Sequence, residues 1–189
     1  MKSTTGHSPP TKIWTVGHST RSLEEFKEIL AAHETAALID VRSFPGSRRY
    51  PHFNKSELSR TLEGVGILYF HLPELGGRRR GTRDSKNTSW KNSSFRAYAD
   101  HMESEEFRKG IEALLKLGEE KRAAIMCAEA LWWRCHRGLI ADFLKASGVE
   151  VIHILDDRHT EEHPYTSAAN IVGGRLSYEG LLAETGGTA

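Results

Sequence analysis

Apolar positions along the chain alternate between short continuous runs and stretches of helical spacing. Residues 13–16 are a brief apolar, β-branched run ended by Gly17, the pattern of a buried strand. Ser22 stands three residues before Glu25, a capping-box spacing, and Phe26, Ile29 and Leu30 follow at helical intervals. Residues 37–41 read as a second buried strand, broken by Arg42, Pro45 and Gly46. Asn54 or Ser56 caps a helix carrying Leu58 and Leu62 that stops near Gly64 and Gly66. A third strand over 67–72 ends at Pro73 and the Gly76-Gly77 pair. The polar, basic stretch 78–94 has no apolar period, and a loop of that kind is either functional or disordered. Helical spacing returns over 95–102 and 107–117. A fourth strand covers 123–127, a helix 135–146, and a fifth strand 149–155. The remainder is polar and glycine-rich, with a short helix expected over 178–184.

Strands that alternate with helices imply right-handed crossovers and a parallel sheet covered on both faces. The expected fold is therefore α/β, a three-layer sandwich whose mainly parallel sheet has about five strands, flavodoxin-like or doubly wound. One domain over 12–160 is expected, preceded by a disordered tail over 1–11 and followed by a polar extension over 161–189. Strand-to-helix loops of such sheets crowd together at the carboxyl edge, where ligands bind.

Composition narrows the function classes. With 189 residues, 38% hydrophobic and 27% charged, the chain is an ordinary globular length and mixture. A formal net charge of +1 supplies no global drive toward nucleic acid or membranes, so steering must come from a local patch. No apolar run approaches the roughly 20 residues that span a bilayer. The first residues are polar, with Pro9 and Pro10, and lack the apolar core of a signal peptide. Two cysteines are too few for a disulfide framework, so both are expected as reduced thiols in a cytoplasm.

Four of the five strands end in polar residues of chemical interest. The first is followed by His18, Ser19 and Thr20, the second by Asp40, Arg42, Ser47 and Arg48. The third leads to Glu74, Gly76 and Gly77, and the fourth to Cys127 and Glu129, with Cys135, His136 and Arg137 after a short loop. Arg137 near a helix N-terminus, with Arg42 and Arg48, would hold a phosphate or carboxylate, and the glycines would let backbone approach it. The same arginines could instead pair with Asp40, Glu74 and Glu129 in a structural network.

Cys127 ends a buried strand and enters a loop leading to a helix N-terminus, where a thiolate is favoured. Phosphatase- and rhodanese-like enzymes use such a cysteine, but where their loop places arginine this chain has Trp133, and Arg134 falls one residue late. A small buried hydrophobe is the plainer role for Cys127. Cys135 is expected to be the more accessible thiol. Cys127, Cys135, His136, His18 and Glu129 are all metal-ligand types, but without a short Cys-x-x-Cys pair the spacing names no metal and no cofactor. The arginine run 78–80 could track a phosphate backbone, with Trp90 for stacking; a solvated charge run is the favoured reading.

Taken together, the segments Val16-Gly17-His18-Ser19-Thr20, Asp40-Val41-Arg42, Pro45-Gly46-Ser47-Arg48-Arg49, Leu75-Gly76-Gly77, Cys127-Ala128-Glu129 and Cys135-His136-Arg137 resemble the family known as domain of unknown function 488. The resemblance runs from about residue 13 to residue 155. It implies the α/β fold and marks His18, Asp40, Arg42, Arg48, Glu129, Cys135, His136 and Arg137 as signature positions. It implies no reaction. Trp132-Trp133 depart from the family pattern and would alter the mouth of a site.

The expected function is an enzyme acting on a phosphate-bearing small molecule, nucleotide or nucleic-acid end. His18, Asp40 or Glu129 would be acid or base, and Cys127 or Cys135 the nucleophile. Ser19, Arg42, Arg48, Gly76, Gly77, His136 and Arg137 would bind the ligand. The alternative is a noncatalytic nucleotide- or metal-binding sensor using the same pocket. An anionic small molecule is the expected partner, nucleic acid is not favoured, and no membrane is involved. The residues do not set the oligomeric state.

Overall fold

Capping chemistry starts the helices close to where the apolar spacing begins. In the computed structural model, which describes residues 11–180, Ser22 opens α1 (Leu23–Ala32) with a complete capping box: its hydroxyl accepts from Glu25 N while the Glu25 carboxylate accepts from Ser22 N. Asn92 and Ser104 cap α3 (Ser93–Met102) and α4 (Glu105–Glu120) by accepting from first-turn backbone N–H groups, without the reciprocal bond. The remaining helices are α2 (Lys55–Glu63) and α5 (Arg137–Ala146).

Five parallel strands form the centre: β1 (Lys12–Gly17), β2 (Ala37–Asp40), β3 (Leu68–His71), β4 (Ala123–Cys127) and β5 (Glu150–Ile154). A sixth, β6 (Thr160–Glu162), adds antiparallel to β5 and gives the order β3-β2-β4-β1-β5-β6. The sheet is thus doubly wound, with β1 between β4 and β5. It differs from the flavodoxin-like order, in which the first strand neighbours the second.

Alternate residues of each strand feed two cores. Leu38, Ala124 and Met126 pack with Phe26, Leu30, Leu58 and Leu62 of α1 and α2. Ile39, Ile125 and Val151 pack with Tyr98, Phe107, Leu114 and Leu139 of α3, α4 and α5. Three layers result. Connections running toward β3 lie on one face and those returning toward β5 on the other, as right-handed crossovers require. The chain leaves β1 toward one edge and leaves its neighbour β4 toward the other. Their carboxyl ends therefore flank the crevice of a topological switch point.

Two features of the polar extension differ from the sequence expectation. Residues 160–162 pair with β5, although three residues are too few to show alternation. A hairpin joins β7 (Asn170–Val172) to β8 (Arg175–Ser177) through Gly173-Gly174, both at positive φ (57° and 78°), the conformation a two-residue hairpin turn demands. Residues 178–180 are not helical, and the rest of the short helix expected there lies outside the described residues, as does nearly all of the N-terminal tail. Among the described residues, no helix is long and apolar enough to cross a membrane.

Candidate functional site

The carboxyl ends of β1 and β4 are tied together by backbone. His18 N donates to Cys127 O at 3.0 Å and Ser19 N to Ala128 O at 2.9 Å. Gly17 makes this approach feasible, since a Cβ there would lie 2.0 Å from Glu129 O. Ser19 turns the chain in the left-handed region (φ 52°), an uncommon conformation for a residue with a side chain. Beside this seam opens a cleft of about 690 Å³.

A thiol pair and one imidazole line the cleft. Cys127 Sγ, Cys135 Sγ and His136 Nδ1 all lie within 4.8 Å of one another, with Nδ1 3.6 Å from Cys135 and 4.0 Å from Cys127. His136 Nε2 donates to Val41 O at 2.9 Å, so Nδ1 is the ring atom that faces both sulfurs, a donor to a thiolate when protonated and a metal-ligand lone pair when not. Gly77 permits that ring position, because a Cβ there would sit 2.4 Å from Nδ1. The hydrogen bond to Cys135 and burial both push the Cys127 thiol well up. Burial opposes a thiolate at Cys135 too, but the Cys127 S–H, His136 and Arg137 outweigh it and bring Cys135 well below the usual thiol range. Cys135 is buried and Cys127 half-buried, which reverses the expected order of accessibility: Cys135 is tucked under the helix start, whereas Cys127 emerges at the strand end.

Arginines provide the charge of the cleft. Arg42, Arg49, Arg78 and Arg134 line it, against Glu129 as the acid in the lining. Arg49, Arg78 and Arg134 have no carboxylate partner among the described residues. Arg42 differs. Its guanidinium closes on Asp40, which is fully buried and also accepts from Tyr69 OH at 2.6 Å and Arg42 N at 3.0 Å. His18 then accepts from Arg42 Nη1 at 3.3 Å through Nε2, and donates to Ser19 O at 3.0 Å through Nδ1. Burial first, and Arg42 next, lower the His18 pKa to about 4, so the ring is neutral at pH 7. Asp40 and His18 therefore hold Arg42 in place, and neither keeps a free lone pair for proton transfer.

Arg137 sits beneath the cleft and does not line it. It is 1% exposed, and donates to Thr15 Oγ1 at 3.2 Å, Glu129 O at 2.6 Å and Ala130 O at 3.2 Å. Among the described residues its guanidinium has no carboxylate partner and its Nε no hydrogen-bond partner. From Thr15 the polar chain continues through His153 Nδ1 (2.7 Å), His153 Nε2 to His163 Nδ1 (2.8 Å), and His163 Nε2 to Asp142 Oδ1 (2.9 Å). Asp142 is fully buried and also accepts from Thr166 N at 2.8 Å and Tyr178 OH at 2.7 Å. Trp132 stacks on His153, with centroids 4.4 Å apart and rings 4° from parallel.

A family model described as "Domain of unknown function DUF488" matches residues 22–144. The chain belongs to this family. Neither the curated proteins nor the solved structures searched gave a match. The span that DUF488 matches carries the thiols, His136 and the cleft arginines, while His18, Ser19, His153 and His163 fall outside it.

Of the residues singled out in the sequence, the fold brings His18, Ser19, Arg42, Gly77, Cys127, Glu129, Cys135 and His136 to one cleft. Arg48 is exposed and Arg49, its neighbour, takes the lining position. Gly76 leaves room for Ser43, whose Oγ would lie 2.5 Å from a Cβ, and Gly77 for His136, so both glycines accommodate protein neighbours. The 78–94 loop is folded down: Arg79 donates to Gly76 O, Pro73 O and Glu74 O and pairs with Glu106, which leaves Arg78 at the cleft. The Thr15–His153–His163–Asp142 chain has no local signal in the sequence, because its other members lie 127 to 148 positions from Thr15. Only contact through the folded sheet joins them.

Proposed function

We propose that this DUF488 chain is an enzyme acting on a phosphate-bearing small molecule or nucleotide, with the arginines as anion clamp and the Cys127–Cys135–His136 centre as the reactive group. The observation that carries the reading is the pairing, in one cleft, of three arginines without carboxylate partners among the described residues with two thiols and an imidazole whose polar atoms lie within 4.8 Å of one another. Unpaired guanidinium groups beside a concave surface recognise phosphate bidentately. Cleft lining by Phe44 (72% exposed) supports a ligand with a flat ring, which such a side chain would stack against. Glu129 is the acid or base that remains with an exposed carboxylate.

The reading is tested by thermal shift with inorganic phosphate and with nucleoside monophosphates. A ligand that binds only the folded state raises Tm with concentration. Wild type should respond, and the Arg49→Ala/Arg134→Ala double variant should fold normally and not respond. Equal shifts in both proteins would remove the cleft from anion binding.

A further inference from the structure

We propose that Cys127, Cys135 and His136 hold a zinc-type divalent cation whose remaining coordination position opens into the arginine cleft. A tetrahedral zinc with bonds of about 2.3 Å to sulfur and about 2.0 Å to nitrogen sets its ligand atoms roughly 3.5–3.8 Å apart. The three side chains already stand near that spacing, with sulfur-to-nitrogen separations of 3.6 and 4.0 Å and every pair within 4.8 Å. Small rotations of two thiols would close the remainder.

The imidazole is set for a metal in a second respect. A ligating histidine ordinarily donates its other N–H to a carbonyl or carboxylate, which fixes the tautomer and aims the free lone pair at the ion. His136 does this through Val41 O, and the absent side chain at Gly77 and the ring of Tyr98 (centroids 5.1 Å away) fix its plane. Two sulfurs and one imidazole select a soft or borderline ion over magnesium or calcium. Three protein ligands with an open fourth position is the composition of a catalytic zinc site and not of a structural one.

Charge is consistent with this occupancy. Two thiolates neutralise a divalent ion, so the buried Arg137 and the cleft arginines remain to favour an anionic fourth ligand, a hydroxide or a phosphate oxygen. The site deepens the anion-cleft reading and rests on it only for the identity of that fourth ligand.

The test titrates the full chain, reduced and stripped by a chelator, with Co²⁺ alone. Wild type should take one ion per chain with a thiolate-to-cobalt charge-transfer band and tetrahedral visible bands, and Zn²⁺ should displace it. Cys127→Ser and Cys135→Ser should each weaken binding by more than about 100-fold, since even partners outside the ligand set are worth roughly 10–100-fold. A measurement on wild type guards against misfolded variants: Zn²⁺ should protect both thiols from iodoacetamide. Cobalt bound without the charge-transfer band, no cobalt bound, or equal alkylation with and without Zn²⁺ would each overturn the proposal. Phosphate thermal shifts recorded in chelator, with no metal present, report on the anion cleft separately, and Arg134→Ala should reduce those while leaving Co²⁺ affinity unchanged.

Discussion

The guanidinium of Arg42 closes on the carboxylate of Asp40, with Nε 2.9 Å from Oδ1 and Nη2 2.5 Å from Oδ2, and the carboxylate is wholly removed from solvent. Removing one partner of such a pair strands the other charge in a low-dielectric interior. Asp40→Ala should therefore lower unfolding free energy by about 3–5 kcal/mol, read from urea midpoints. Tyr69→Phe, which deletes only the hydroxyl donor to Asp40, should cost about 1 kcal/mol. A near-neutral Asp40→Ala would show that Arg42 finds other partners.

Arginines above and below the loop should behave oppositely. Arg134 is exposed at the cleft, so Arg134→Ala should leave Tm within a few degrees of wild type and reduce the phosphate-induced shift. Arg137 anchors the Glu129 and Ala130 carbonyls from below, and Arg137→Ala should destabilise the fold by about 2–4 kcal/mol through the carbonyls and hydroxyl left unpaired. Circular dichroism melts of the two variants distinguish an anion ligand from a structural anchor.

Acid should unfold the protein early. The unfolded chain protonates His18 near pH 6.5, while the buried ring resists until about 4. Above pH 6.5 both states are neutral and the full stability is present. As pH falls from 6.5 to about 4 the unfolded state gains protons that the folded state refuses, and stability drops on the order of 3 kcal/mol from this residue. His153, lowered to about 2 by burial, then His163 and Arg137, adds to the loss from pH 6.5 downward and carries it below pH 4. Urea midpoints at pH 7 and 4.5 should differ accordingly, and by less in His18→Asn; an identical loss in that variant would assign the acid sensitivity elsewhere.

Thiol titration should be asymmetric in metal-free protein. Cys135 is favoured as thiolate by the Cys127 S–H, by His136 and by Arg137, against the opposition of burial. Ultraviolet thiolate absorbance should therefore show one thiol titrating below the range of a free cysteine, a step lost in Cys135→Ser. Cys127→Ala removes the S–H donor and should move the remaining titration upward. Absorbance that rises only in the range of a free thiol in wild type would leave Cys135 an ordinary core residue.

Much of the frame was legible because each strand and helix carries its own apolar period. The capping box at Ser22 and Glu25, the apolar run at 123–127 and the Gly64 stop each encode a local boundary. The loops after β1, β2 and β4 were readable as a shared edge for the same reason, since parallel crossovers leave them no other place. What the residues could not convey was which side of a loop an arginine occupies. Arg48 and Arg49 are chemically alike, and only the turn through Pro45 and the bond from Ser47 N to Asn54 decide which one faces the cleft. The place of Arg137 at a helix start likewise suggests a ligand contact, but its side chain turns under the loop to reach Thr15. The hairpin at 170–177 carried a local signal in Gly173-Gly174, masked by the polar composition around it.

The buried chain from Asp142 to Arg137 has a direction as well as a length. If both rings are neutral, one proton assignment satisfies every link: His163 gives its Nε2 proton to Asp142, His153 gives its own to His163, Thr15 gives to His153, and Arg137 gives to Thr15. Reversing any single donor would set two lone pairs or two protons against each other, so the sequence of donors is locked from end to end. Its far end is set by Thr166 and Tyr178, beyond the span shared with the family, and its near end holds the carbonyl of Glu129 at the cleft. The last strands and the residues after them thus act as a keystone. A chain cut before Thr166 would leave the buried Asp142 without two of its donors, though no residue of the cleft had been touched.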